Sequence, residues 1–443
     1  MSVVPAGVVH LGLGAFHRAH QAWVFDQLIR LGDSRWGVLG VAMNNPDTVN
    51  ALHTQNHRYS VQISDGHKPT FEWIHAVCSS CVAATHRQQV LDAIASPHTR
   101  WITLTITEKG YTPAIAQLII DGLSLRQQLS LPGLTIASCD NLSGNGTLLK
   151  KLCLQQAEQH NLKLAHWINV QCAFPNSMVD RIVPQATDAC REQAELALGE
   201  RDQAAIATEP FWEWVIEHRF VEMNDAAALK SVGVQIVDNV ALFEDAKLRM
   251  LNATHTALAA MGAVVGFHAM SDCVASQPLR DFAHALMTHE VMPLLSRPNL
   301  NTYRDHLLQR FANSSLQHKA LQICNDNSQK IPLRWVPSIE QRIQSQQSFE
   351  CFSFAAAAWI RFLQGHTQDH TAYTWSDPMR SQLQILARQH ANNSDDCTAA
   401  LLSITSIWGS QLPHHRPWLS AVTQHHQRIQ QLGLLQALQE TLS

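Results

Sequence analysis

The stretch Val9-His10-Leu11-Gly12-Leu13-Gly14-Ala15-Phe16-His17 decides the fold. Its first part completes a β-like run, Gly7 to Leu11, and its last part opens an amphipathic stretch from Phe16 to Leu31. A glycine pair between a strand and a helix is where a parallel α/β sheet cradles a phosphate. Gly12 permits the tight turn. Gly14 lets the backbone approach a pyrophosphate at the positively polarised helix N-terminus, with Ala15 and Phe16 beside it. His17 stands where the usual fingerprint has its third glycine. A Gly-x-Gly pair occurs in many loops, so its weight comes from its place directly behind the first strand.

Downstream, short β-rich runs alternate with amphipathic stretches, the pattern of βαβ units. Trp36 to Ala42, Tyr59 to Ile63, Trp101 to Thr107, Leu134 to Ser138 and Trp167 to Cys172 read as strands. From about residue 185 the pattern turns mostly helical, with one β-like run at Val232 to Val240. A long apolar helix follows from Glu244 to about Gly266, then helical segments separated by turns such as Arg297-Pro298-Asn299. At 443 residues the chain exceeds one ordinary core. The fold class expected is α/β: a Rossmann-type doubly wound domain at 1–240, followed by a mostly α-helical domain at 241–443. In such a sheet the second strand ends in an acidic residue that binds the ribose hydroxyls of NAD. Here it ends Met43-Asn44-Asn45-Pro46-Asp47. Asn44 can hydrogen-bond a ribose hydroxyl but lacks the charge that repels a 2′-phosphate. No Arg or Lys stands near enough in sequence to clamp that phosphate, so NAD is the cofactor expected.

Composition narrows the classes. Apolar residues are 46% of the chain and charged residues 15%, which provides buried cores and excludes wholesale disorder. A net charge of -4 carries none of the basic footprint of a nucleic-acid binder. Most of the 25 His lie in polar stretches such as His414-His415 and His425-His426, where a solvated surface accounts for them. No apolar run reaches bilayer-spanning length. Met1-Ser2-Val3-Val4-Pro5 lacks the basic region and long apolar core of a signal peptide. Ten Cys without a disulfide-like framework fit a reducing compartment. The expectation is a cytoplasmic protein, a monomer or weak homo-oligomer, acting on a small molecule and binding neither nucleic acid nor membrane.

Glu244, Lys247, Asn252 and His255 fall within the long apolar helix. At about 100° per residue they point roughly 60°, 0°, 140° and 80° from Lys247, on one face. Buried polar groups need partners or a task. Alcohol oxidation needs a base for the hydroxyl proton, donors for the developing alkoxide and a hydride acceptor. A desolvated Lys can serve as the base, and Asn amides as the donors. The alternative is a structural Lys-Glu pair, with the Asn and His capping nearby backbone.

Lys247-Leu-Arg-Met-Leu-Asn252-Ala-Thr-His255 resembles the Lys-x4-Asn-x2-His motif of the mannitol dehydrogenase family of long-chain polyol dehydrogenases. Four other blocks resemble that family in order. Val9 to His20 resembles its cofactor turn, and Thr105-Ile106-Thr107-Glu108-Lys109-Gly110-Tyr111 the end of its nicotinamide-side strand. Phe174 to Ile182 resembles its signature segment, and Glu209-Pro210-Phe211 opens another shared block. The resemblance implies a Rossmann-type domain, a helical domain and a site between them. It implies Lys247 as general base, Asn176 and Asn252 as oxyanion donors, His255 on a substrate hydroxyl, and Glu244 in proton exchange with solvent. Glu108 would belong to the cofactor cleft. Asn141, after a strand end, lines that cleft or simply forms a turn. Lys330 contacts a substrate hydroxyl or carboxylate, or is a plain surface Lys, and Asp180-Arg181 reads as a structural ion pair. Ala253-Thr254 stands where many members carry Gly-Ser, and His218 where an Asp is common.

Other chemistries fit less well. None of the four Tyr has the Lys four residues on that short-chain dehydrogenases use. Cys78-Ser-Ser-Cys81 has no second pair or nearby His to complete a zinc site, so no metal is expected. A dinucleotide-binding sensor without catalysis is the alternative of another class. Within the enzymes, the resemblance allows a hexitol dehydrogenase (mannitol to fructose) or a hexuronate reductase (fructuronate to mannonate). The second needs a cation for the substrate carboxylate, and Lys330 tips the reading that way.

Overall fold

The computed structural model describes residues 6–159, 161–316, 318–391 and 393–442. Met1–Pro5, read above for a signal peptide, lies outside them. The chain divides into two compact units, 1–241 and 242–443.

The first unit contains β1 (Ala6–Leu11), β2 (Gly37–Ala42), β3 (Tyr59–Ile63), β4 (Thr70–Ile74), β5 (Val77–Val82), β6 (Trp101–Leu104), β7 (Thr135–Ser138), β8 (Ser177–Asp180), β9 (Ile206–Thr208), β10 (Glu213–Glu217) and β11 (Gln235–Val237). Five form an all-parallel sheet in the order β5-β2-β1-β6-β7. Counted along the chain that order is 3-2-1-4-5, the doubly wound arrangement whose strand order reverses beside β1. Val8 packs into one core cluster, while Val9 and Leu11 pack into another, so the sheet is covered on both faces. That explains why β2 is buried at every position rather than alternating.

Several local readings change. Trp167 to Cys172 is not a strand: it falls in the helix Leu162–Gln171 and its end. The Asn161 side chain accepts from Lys163 N and Leu164 N at 3.0 and 3.1 Å, and Leu164, Ala165 and Ile168 form a buried helical stripe. The chain regains the sheet edge just afterwards, where Ala173 bridges Thr135 in parallel. The stretch Phe16 to Leu31 is two helices, Ala15–Ala19 and Gln21–Arg30, broken at His20. The His20 Nε2 sits 2.9 Å from Glu213 O, a contact 193 residues away that no local pattern carries. Tyr59 to Ile63 is a strand, but of a side sheet ordered β4-β3-β9. Cys78 and Cys81 lie in β5, an edge of the main sheet. Strands also persist past residue 185, in β9 and β10.

In the second unit, the described residues form no strand beyond isolated bridges. Its central helix runs through Ala241–Ala246, a π-helical turn Lys247–Asn252, and Ala253–Val265. It packs against Glu350–Phe362, whose residues from Cys351 onward are all buried. His425 and His426 are not surface residues: they are 4% and 0% exposed, in the helix Arg416–Leu432. Among the described residues no helix is long and apolar enough to cross a membrane.

Candidate active site

Gly12 has φ +106°, and a Cβ on it would lie 2.1 Å from Thr105 O. Only glycine meets both conditions. Gly12 N and Leu13 N both donate to Val41 O, at 2.8 and 3.1 Å, which closes the turn over β2. Gly14 is exposed, with open space where its Cβ would be, so its backbone is available to a ligand. Ala15 and Phe16 are half-buried beside it.

His10 supports the turn from below. Its Nδ1 is 2.8 Å from Thr103 Oγ1, and its Nε2 is 3.0 Å from Gly12 O and 2.9 Å from Thr105 Oγ1. His17 stacks on His10, with ring centroids 3.3 Å apart and planes 11° apart. Burial pushes the His10 pKa down to about 3 and that of His17 well below its ordinary value, so both rings are neutral near pH 7. The third glycine of the usual fingerprint lets helix and strand pack closely. Here two flat neutral rings do that packing instead. The regular Thr103 and Thr105 alternation was the only sequence signal of this network.

The other cofactor candidates follow strand ends. Asn44 is exposed after β2, Glu108 is exposed in the short turn Glu108–Gly110 after β6, and Asn141 is exposed after β7. With Gly12 and Gly14 after β1, all lie at the carboxyl edge of the parallel sheet, where such folds bind ligands. Sequence reasoning missed what ties these loops together. The Asp140 carboxylate accepts from Thr107 N at 2.7 Å, from Ile106 N at 3.2 Å and from Tyr111 OH at 3.1 Å. Burial raises its pKa, and the two backbone donors oppose that rise. Asp140 thereby holds Thr107 at φ +64°, an uncommon conformation for a β-branched residue, and fixes the loop that carries Glu108.

Asn176 precedes β8 and is oriented by its partners. Its Oδ1 accepts from Thr147 N at 2.9 Å, and its Nδ2 donates to Glu217 Oε1 at 2.9 Å. The second Nδ2 hydrogen remains to donate elsewhere. Gly146 makes this approach possible, because a Cβ there would lie 2.2 Å from Pro175 O. Arg181 donates to Glu209 O at 3.2 and 3.1 Å and lies over the Trp23 ring, a structural role.

In the second unit, Lys247, Leu248, Asn252 and His255 are the half-buried positions between Ala246 and Val264, and the rest of that run is buried. Glu244 is half-buried one turn earlier. The π turn spans the Lys-x4-Asn spacing. Its i to i+5 bonding brings residues 247 and 252 nearly one above the other, where α-helical geometry would spread them by about 140°. The Asn252 amide side chain has no hydrogen bond among the described residues, while its main-chain oxygen accepts from Thr256 Oγ1 and Arg334 Nη1. Trp335 Nε1 donates to Ala253 O at 3.1 Å. Arg334 and Trp335 thus clamp the end of the π turn from outside the helix. His255 stacks on Phe311 at 5.2 Å and 3°. Its Nε2 is buried without a hydrogen-bond partner. Burial, then His318, Arg334, Arg310 and Lys330, hold its pKa well below the ordinary value, so it is a neutral imidazole. Lys330 is half-buried, with Nζ donating to Ile323 O at 3.1 Å and Asn325 O at 2.5 Å. It is therefore no plain surface Lys.

Among the described residues, no three His, Cys, Asp or Glu gather as a metal-holding group. All ten Cys are free. Burial raises the thiol pKa of Cys78 and Cys81, the latter to about 11, which leaves them unreactive near neutral pH.

Residues 6–228 match the family model described as mannitol dehydrogenase Rossmann domain, and residues 239–430 match mannitol dehydrogenase C-terminal domain. The D-mannonate oxidoreductase of Escherichia coli (strain K12) is 35% identical, over 96% of this chain and 93% of that protein. A mannitol 2-dehydrogenase of Aspergillus fumigatus is 33% identical, over 98% of this chain and 93% of its own. Among solved structures, the Pseudomonas fluorescens mannitol 2-dehydrogenase ternary complex with NAD and D-mannitol matches with a TM-score of 0.79 and 29% identity, covering 98% of this chain and 94% of that one.

Proposed function

The chain belongs to the mannitol dehydrogenase family, and from that membership we propose how it works as an NAD-dependent oxidoreductase of CH–OH groups. It interconverts a linear sugar alcohol or aldonate and its ketose or ketouronate. The observation that carries this reading is the π turn, which stacks Lys247 and Asn252 in an otherwise buried helix.

The open backbone of the Gly12–Gly14 turn would hold the pyrophosphate, and Asn44 a ribose hydroxyl, with Glu108 and Asn141 bounding the cleft. NAD, when bound, exchanges the hydride at its nicotinamide. Lys247 Nζ removes the hydroxyl proton of the alcohol and returns it in the reverse direction. Asn252 and Asn176 are the amide donors for the oxygen as its negative charge grows. The neutral His255 hydrogen-bonds a neighbouring hydroxyl through the Nε2 that lacks a protein partner. Glu244 passes the proton between Lys247 and solvent. Lys330 keeps one N–H for the substrate. Because a Lys is the base, the reaction runs without a metal ion. The ten free cysteines fit a reducing cytoplasm.

The D-mannonate oxidoreductase relative and Lys330 favour a sugar acid. A hexitol such as mannitol is the second reading, supported by the mannitol 2-dehydrogenase match. The test follows the absorbance of NADH and NADPH with ketoses and ketouronates, chelator present. NADH oxidation that survives the chelator and is abolished in Lys247→Ala supports the reading. NADH binding without turnover of any substrate sinks it in favour of a sensor.

A further inference from the structure

Arg334 does more than clamp the π turn. It stands one helical turn after Lys330 in the helix Asn327–Arg334, so the two cations share a face. Their hydrogen bonds all end on neutral oxygens: Asn252 O and Thr256 Oγ1 for Arg334, Ile323 O and Asn325 O for Lys330. Asp326 and Asp377 act on Lys330 only through space, and Asp377 is already bonded to Ser328. No acid acts on Arg334, whose pKa burial lowers to about 10. His255, between them, feels only positive neighbours. Half-buried cations without a counter-ion carry a desolvation cost that an arriving anion relieves. The Arg334 Nη1 is anchored at 2.7 Å on Thr256, so the guanidinium fork is held in place with Nε and Nη2 still to be used. The unpartnered Asn252 amide and His255 Nε2 belong to the same neighbourhood.

We propose that Arg334 binds the carboxylate of the substrate and so selects sugar acids over neutral ketoses and hexitols. This rests on the function proposed above. A neutral sugar would satisfy Asn252 and His255 but leave both cations uncompensated.

The test uses the full chain with NADH, comparing a ketouronate with the neutral ketose of the same carbon number. In Arg334→Met the ratio of kcat/KM for ketouronate over ketose falls on the order of 10- to 100-fold, mainly through KM. Arg334→Lys restores part of the ratio. Equal losses on both substrates would mean that Arg334 only positions Asn252, and would overturn the proposal. A second measurement needs no variant: calorimetric binding of an unreactive aldonate and of the alditol of equal length to the wild-type protein. Tighter aldonate binding supports the proposal, and equal affinities overturn it. Failure of the underlying function reads differently, as wild-type protein that turns over neither substrate, or Lys247→Ala that keeps its turnover.

Discussion

The turn around Gly12 and the turn around Lys247 are opposite solutions to holding a small molecule. In the first, the side chains satisfy one another. His10 is engaged by Thr103, Thr105 and Gly12 O, His17 stacks on it, and what remains open is backbone. In the second, the backbone is satisfied from outside by Arg334 and Trp335, and what remains open is the Asn252 amide and the His255 Nε2. A shape-reading site fits a cofactor shared by many enzymes. A site of unmet side chains fits a particular substrate and a particular proton transfer. The contrast teaches that substitutions at the first should act on binding and stability, and at the second on turnover.

The largest effect should come from removing the base. Lys247→Ala should lose about 10³-fold or more in kcat, with NADH affinity and Tm close to wild type. A variant that stops binding NADH would erase the contrast. Asn252→Ala should cost on the order of 10²-fold in kcat, again at unchanged NADH affinity by fluorescence titration. Gly12→Ala should act the other way. Positive φ and contact with Thr105 O cost about 1–3 kcal/mol, read as weaker NADH binding and a lower Tm, with kcat at saturating NADH much less affected. The smallest effect is a pH slope. His10 has a pKa of about 3 in the fold against an ordinary 6.5, so its contribution to stability is complete above pH 6.5. Below that the unfolded chain takes up the proton first, and stability is lost as pH falls toward 3. Tm should decline between pH 7 and 5, and His10→Asn should make that decline shallower. An unchanged slope would show that the His10–His17 stack is not what acid attacks.

Legibility followed the range of the forces involved. The Gly12–Gly14 turn was readable because its cause is local backbone conformation behind a strand. The strands of the main sheet were readable where apolar runs are bounded by turns, as at Trp36 to Ala42, and misread at Trp167 to Cys172, where a cap at Asn161 settles the matter. Asp140 was passed over for Asn141 because its partners lie at Ile106 and Thr107, more than thirty residues away. The polar face of the long helix was visible, but the wheel that displayed it assumed α geometry throughout and so spread Lys247 and Asn252 too far. Nothing in local sequence gave Arg334 a role, since its partners at Asn252 and Thr256 are brought to it only by packing. His425-His426 looked like surface because adjacent histidines usually are. Burial in the second unit's core is a tertiary fact.

The π turn has a consequence for the register of everything beyond it. It accommodates one residue more than an α-helical path between the same two points would need. Deleting a single non-catalytic residue there, such as Leu248, would let the helix relax to ordinary winding. The downstream segment would then be out of phase by about 100°, swinging His255 away from Lys247 while leaving every side chain of the motif present. In this family of helices the count of residues is itself part of the catalyst, and a one-residue gap would silence the enzyme as surely as a substitution.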